Sequence, residues 1–260
     1  MRAAPMPNFP TPTSRPNPTT SSAPSPGWAS KSELLRTTQV LRAEQLSRRD
    51  RTKLFRYRPY PKQLMFHAAG AQHDERLLMA ANQVGKTLAG AAECALHLTG
   101  RYDDWERASG QTWPGRRFAR PTRAWVGCDT RDTVRDGAQR LLVGPPRLEA
   151  DWGTGLVPGD DLVEYARHPG AVDGLDGIVV RHVSGGLSTL TFKSYDQGRR
   201  KWQGETLNFV WFDEEPPEEI YTEGRTRVNA TRGMVWLTFT PLNGLSSVVH
   251  AFRGAAGDQF

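Results

Sequence analysis

A chain of 260 residues with 37% hydrophobic side chains can bury a substantial core, as one large domain or two small ones. Its formal charge of +6 invites a polyanion, while its two cysteines, Cys94 and Cys128, stand at no metal-ligand spacing and exclude a zinc module or a disulfide framework. No apolar run is long enough to span a bilayer and no signal-peptide core is present, so a soluble, cytosolic protein is expected.

Residues 1–30 hold Pro5, Pro7, Pro10, Pro12, Pro16, Pro18, Pro24 and Pro26 among Ser, Thr and Asn, a composition that predicts a disordered tail. A basic helical segment is expected over 31–56. From Lys31 to Arg58 nine cations face only Glu33, Glu44 and Asp50, an excess equal to the whole net charge. Two readings stay open: a polyanion-binding surface, or an exposed basic helix whose Leu34, Leu35, Leu41 and Leu46 form a buried stripe.

The main domain is expected over 57–250. Pro61 suits a helix start, and Gln63 just after it has an amide that can both accept from and donate to an adenine edge. The apolar run Leu77-Leu78-Met79-Ala80-Ala81 then breaks into a polar turn, and Gly85-Lys86-Thr87 opens a segment of helical spacing. Strand, loop and helix in that order form a phosphate-binding loop, in which backbone N–H groups and the positive helix end point at an anion. The expected cradle is Ala81, Asn82, Gln83, Val84, Gly85, Lys86 and Thr87. Lys86 would reach the β and γ phosphates of ATP, and Thr87 would offer its hydroxyl to Mg²⁺. Ala80 stands where the motif has its first glycine, which requires a negative φ there.

After the loop, Leu88, Ala91, Ala92, Ala95 and Leu96 follow helical spacing up to Gly100. Ala124 to Cys128 reads as a buried strand, Asp129 or Thr130 as a cap, and Val134, Ala138, Leu141 and Leu142 as a second helix. Residues 149–177 show little periodicity and read as a long loop or insertion. Ile178 to Val183 and Thr189 to Lys193 flank Ser184-Gly185-Gly186 as a hairpin. The six histidines are scattered and receive no role.

Two further strands carry chemistry. Leu207 to Phe212 is apolar and delivers Asp213 and Glu214 at its C-terminal end, where ligands of open α/β sheets bind. Asp213 is the expected Mg²⁺ ligand, and Glu214 the residue that orients and activates the attacking water. The later acids, Glu215, Glu218 and Glu219, suit the N-terminus of a helix begun at Pro216-Pro217. Met234 to Phe239 is the second strand, and Thr240 beyond it is placed to sense the γ-phosphate. The fold class is therefore α/β: a P-loop NTPase of ASCE/RecA-like type with a mainly parallel central sheet flanked by helices, plus a β-hairpin insertion. The extra strand at Trp125 to Cys128, between phosphate loop and acidic strand, suits a motor-type ATPase.

The order Tyr60-Pro61-Lys62-Gln63, Ala80 to Thr87, Gln197-Gly198-Arg199-Arg200-Lys201-Trp202-Gln203-Gly204, Trp211 to Glu215 and Thr238 to Gly244 resembles the ATPase domain of the large terminase subunit of tailed bacteriophages. The resemblance spans residues 57–249. It implies an ATP-driven motor threading double-stranded DNA into a procapsid, working as a homo-oligomeric ring on the portal with a small terminase subunit, in the host cell cytoplasm. It also implies that Gln63 reads adenine, that Thr240 belongs to a coupling motif, and that Arg199, Arg200 or an arginine near Arg225 completes a neighbouring subunit's site. Such proteins continue into a nuclease domain, and none is expected within these 260 residues, with 251–260 read as a tail. The alternatives are a non-hydrolysing remnant that binds DNA or portal, and a helicase-like ATPase.

Overall fold

The computed structural model describes residues 31–50, 52–170, 173–242, 244 and 246–255. The expected tail over 1–30 and the final stretch 256–260 lie outside that range. The chain divides between Arg42 and Ala43 into two units. Helix α1 (Lys31–Asp50) begins in the first, and its described apolar side chains Leu34, Leu35, Val40 and Leu41 are 53 to 58% exposed. The expected buried stripe is thus corrected for Leu34, Leu35 and Leu41, while the side chain of Leu46 is outside the described set. So few apolar positions, on a helix carrying Lys31, Arg36 and Arg42, cannot build a core of their own.

The packed part of the second unit starts before residue 57. A 3-10 turn, Lys53–Arg56, buries Leu54 completely, and Trp105 Nε1 donates to the Tyr57 carbonyl at 3.1 Å. Then come α2 (Pro61–Ala69), β1 (Glu75–Met79), α3 (Lys86–Thr99), ended by Gly100, and α4 (Tyr102–Ser109). Strand β2 (Arg123–Cys128) leads into α5 (Arg131–Val134), a π turn (Arg135–Gln139) and α6 (Arg140–Leu142). Thr130 rather than Asp129 is the cap, its hydroxyl accepting from Thr133 N. Strands β3 (Leu162–Arg167), β4 (Leu175–Arg181), β5 (Leu187–Ser194) and β6 (Phe209–Asp213) follow, then α7 (Glu218–Val228), β7 (Met234–Phe239) and α8 (Ser247–Ala255). Helix α8 runs past residue 250 with Val248 and Val249 buried, so the expected tail is helical as far as 255.

The seven strands form one sheet in the order β1-β7-β6-β2-β5-β4-β3, parallel from β1 to β5 and antiparallel at β4 and β3. Two expectations change. The hairpin β4–β5 is no insertion, because β5 pairs in parallel with β2 from Arg123↔Thr189 to Cys128↔Ser194 and so carries the sheet onward. The supposed loop over 149–177 contains β3. In the sheet β7 lies between β1 and β6, and β2, which falls between those two strands in the chain, pairs with β6 on its far side.

Alternation along the strands fills both faces. Phe209, Trp211, Met234 and Trp236 pack with Ala91, Ala92, Ala95 and Leu96 of α3, whereas Val210, Phe212, Val235 and Leu237 pack with Ile220 and Tyr221 of α7 and Val248 of α8. Beneath α3 lies a buried charged network. Glu93, wholly buried, accepts from Arg76 Nη2 at 2.7 Å and Nη1 at 3.2 Å. His67 Nδ1 (2.7 Å) and His97 Nε2 (3.2 Å) complete its shell, and their other nitrogens meet the hydroxyls of Tyr57 and Tyr102. The contacts fit tautomers in which each tyrosine donates to its histidine and each histidine to Glu93, while the buried Nε of Arg76 has no hydrogen-bond partner. Against its burial, the Arg76 charge and hydrogen bonds from His67 and His97 hold Glu93 well below the usual carboxylate range, and burial lowers His97. This ties α2, β1 and α3 together behind the loop.

Candidate functional site

Because five strands run parallel, their carboxyl ends align: Met79 pairs with Phe239, Thr238 with Asp213, and Phe212 with Gly127. The segments beyond those ends, holding the loop, Thr240, Glu214 and Asp129, therefore meet along one edge of the sheet.

The loop runs from Ala80 to Gly85. Gln83 (φ 61°) and Gly85 (φ 83°) take left-handed conformations, while Ala80 stays outside that region, as a β-carbon requires. The Lys86 ammonium donates to the Ala81 carbonyl (2.7 Å) and to Thr240 Oγ1 (2.8 Å), which leaves one N–H for a further acceptor. Thr240 Oγ1 is in turn 3.0 Å from the Ala80 carbonyl and 2.7 Å from Asn82 Oδ1, so the end of β7 is bolted to the loop. Asn243 of the expected coupling motif lies outside the described residues. Gln63, 4% exposed, accepts from Tyr60 N and donates to the Gly85 carbonyl, each at 2.8 Å. Its amide keeps one N–H and one lone pair beyond those bonds.

Asp213 is 4% exposed, and its Oδ1 accepts from Thr238 at 2.7 Å while Trp211 Nε1 donates to the same threonine at 2.7 Å. Burial pushes the carboxyl up to about 7, partly countered by hydrogen bonds from Thr238 and Thr87 and by the nearby Lys86 charge. A buried carboxylate bonded to a loop threonine and short of positive charge fits a divalent cation with hard oxygen ligands. Among the described residues no group of three or more His, Cys, Asp or Glu is set to hold a metal unaided.

Glu214 adopts φ 74°, with its N–H still donating to the Thr238 carbonyl at 3.1 Å. Its carboxyl is raised by burial and by Asp129, and lowered by Lys86, so it shares the electrostatic environment of the loop lysine. Asp129 is raised by desolvation and then by Glu215. Glu215 departs from expectation: α7 begins only at Glu218, and both buried carboxylate oxygens of Glu215 lack a partner, so the helix N-terminus accounts for Glu218 and Glu219 alone.

Arg199 sits in a 3-10 turn, Arg199–Trp202, and spends Nε and Nη2 on Glu223 Oε1 of α7 at 2.8 Å each. Arg200 is exposed, and Arg225 pairs with Glu75 at 2.8 Å. The structure thus gathers Gln63, the loop, Lys86, Thr87, Asp213, Glu214 and Thr240, and places the arginines on α7 and the surface. Asp129 follows a buried strand as Asp213 does, and that shared position is its signal in the sequence.

A family model described as terminase large subunit, T4likevirus-type, N-terminal, matches residues 77–256. The large subunit of the terminase of Salmonella phage P22 is 43% identical over 209 residues, covering 76% of this chain and 42% of that protein, so the chain spans less than half of that relative's length. Among solved structures, the large terminase ATPase domain of Thermus phage P74-26 aligns at TM-score 0.45 and 18% identity, over 75% of this chain and 70% of that one. The HK97 bacteriophage large terminase aligns at TM-score 0.44 and 16% identity, over 71% and 33%. By the match over 77–256, the chain belongs to the terminase large subunits of T4-like-virus type and carries that family's N-terminal region.

Proposed function

We propose that this chain is the ATP-hydrolysing motor part of a phage DNA-packaging terminase, acting on double-stranded DNA together with a portal and a small subunit, as a ring of like chains in the host cytoplasm. The observation that carries the reading is the contact of Lys86 with Thr240 at the edge where Asp213 and Glu214 emerge.

The chemistry follows from those positions. Loop N–H groups and the remaining Lys86 N–H bind the terminal phosphates of ATP, and Gln63 offers its spare donor and acceptor to the base. Thr87 and Asp213 would hold Mg²⁺, which would supply positive charge to offset that of the phosphates. Glu214 accepts a proton from the water whose oxygen attacks the γ-phosphorus; that bond forms as the bond to the ADP oxygen breaks, releasing phosphate. Thr240 shares Lys86 with the γ-phosphate, so loss of that phosphate changes the contact between β7 and the loop. Among the described residues no helix is long and apolar enough to cross a membrane.

The purified chain should turn over ATP only with Mg²⁺, faster with double-stranded DNA, and Lys86→Ala should lose both nucleotide binding and turnover. Tight nucleotide binding without turnover would favour a non-hydrolysing relative that binds DNA or portal.

A further inference from the structure

Glu214 occupies a backbone conformation that its own side chain disfavours. At φ 74° the β-carbon crowds the neighbouring carbonyl, and a glutamate has no short polar group to offset this. Strained residues persist where the surroundings over-determine them. On one side Glu214 N is held by Thr238 of β7. On the other its carbonyl lies 2.9 Å from the hydroxyl of Tyr195, which is also 3.1 Å from the Gly127 carbonyl and 3.3 Å from that of Asp213. A phenol has one proton to give, and the shortest of the three contacts is to Glu214.

The ring carrying that hydroxyl has no freedom to drift. Tyr195 is 6% exposed and packs against Trp202 and Phe212 at centroid distances of 5.8 and 6.1 Å. Its close approach to β2 depends on Gly127, where a β-carbon would lie 2.2 Å from Trp202 and 3.0 Å from Tyr195. Burial pushes the phenol far above its ordinary value, so it remains a donor at any working pH. The same stretch is anchored at Asp196 N by the Asp129 carbonyl (3.2 Å) and at Arg199 by Glu223.

We propose that Tyr195 is a positioning residue, whose hydroxyl holds the Glu214 carbonyl and thereby keeps the Glu214 carboxylate aimed at the phosphate loop. This rests on the hydrolytic role of Glu214 given above.

The test is Tyr195→Phe, which keeps the ring and removes only the oxygen. Nucleotide affinity should stay within about twofold, because the loop is untouched, while kcat should fall about tenfold or more as Glu214 leaves its aimed conformation. Crystals of the variant should show Glu214 outside the left-handed region or its carboxylate displaced. A variant with wild-type kcat, or one in which Glu214 keeps its conformation and position, overturns the proposal. Loss of affinity in parallel with kcat overturns it too, since that signals general unfolding around the site. If the wild type itself hydrolyses nothing, the motor reading fails, and the crystal comparison still decides whether Tyr195 sets Glu214.

Discussion

Glu93→Gln removes one charge from the centre of the network under α3. The carboxylate accepts four hydrogen bonds, two from Arg76 and one each from His67 and His97. The glutamine amide offers an oxygen in place of one carboxylate oxygen and a donor in place of the other. A histidine can switch tautomer to meet the new donor, whereas Arg76, 4% exposed, cannot, and is left as an uncompensated buried cation. Breaking such a pair costs about 3–5 kcal/mol, a large share of a domain's usual stability of about 5–15 kcal/mol. Urea unfolding followed by tryptophan fluorescence reads it directly, with Trp113 only 4.7 Å from the His67 ring. Removing both charges, in Glu93→Gln with Arg76→Met, should recover part of the loss. The pH dependence has a definite sign: Glu93 is held below its ordinary 4.5, so its contribution is present above that value and lost as pH falls through the lower folded value. The wild type should thus lose stability more steeply in acid than the variant. A loss under about 1 kcal/mol for the single variant, or a double variant equal to the sum of the singles, would show that Arg76 and Glu93 do not depend on each other.

The Asp213 carboxyl behaves the opposite way: raised from 3.8 to about 7, it favours the neutral form in the fold, so its contribution is complete below 3.8 and gone above about 7. Without Mg²⁺, the wild type should lose about 2.5 kcal/mol between pH 5 and 8 relative to Asp213→Asn in urea titrations, and equal slopes would contradict this. If Arg199 or Arg200 serves the ATP of an adjacent subunit, Arg199→Ala or Arg200→Ala chains mixed with Glu214→Gln chains should recover turnover, since each intact site borrows its neighbour's arginine. Mixtures that co-assemble yet give only additive turnover would rule the trans role out.

What the sequence made legible and what it hid differ for physical reasons. The strands ending at Asp213 and Phe239 are buried on both faces and so read as continuous apolar runs, and the half-buried edge strand ending at Met79 is marked by the loop sequence that follows it, which is why the loop, the acids and Thr240 could be placed from the chain alone. Strand β3 escaped because it is an exposed edge, with Glu164 and Arg167 breaking any apolar alternation. The hairpin was seen but its parallel pairing with β2 was not, since pairing partners distant in sequence leave no periodic trace. Helical spacing picked out Ala91, Ala92 and Ala95, yet α3 is buried all round from Ala89 onward, and the i, i+4 pair Glu93 and His97 is the polar sign of a second partner face. Tyr195 left no signal, because its role exists only where the ends of β2, β5 and β6 converge.

In the proposed mechanism Glu214 activates the water while loop and metal hold the nucleotide. Single-turnover ATP hydrolysis with Mg²⁺ in wild type and Glu214→Gln, alongside nucleotide binding, tests it most directly. The variant should keep a binding constant within about threefold and hydrolyse more slowly by about 10²-fold or more, the scale of a lost general base. Equal hydrolysis rates in the two proteins would contradict it.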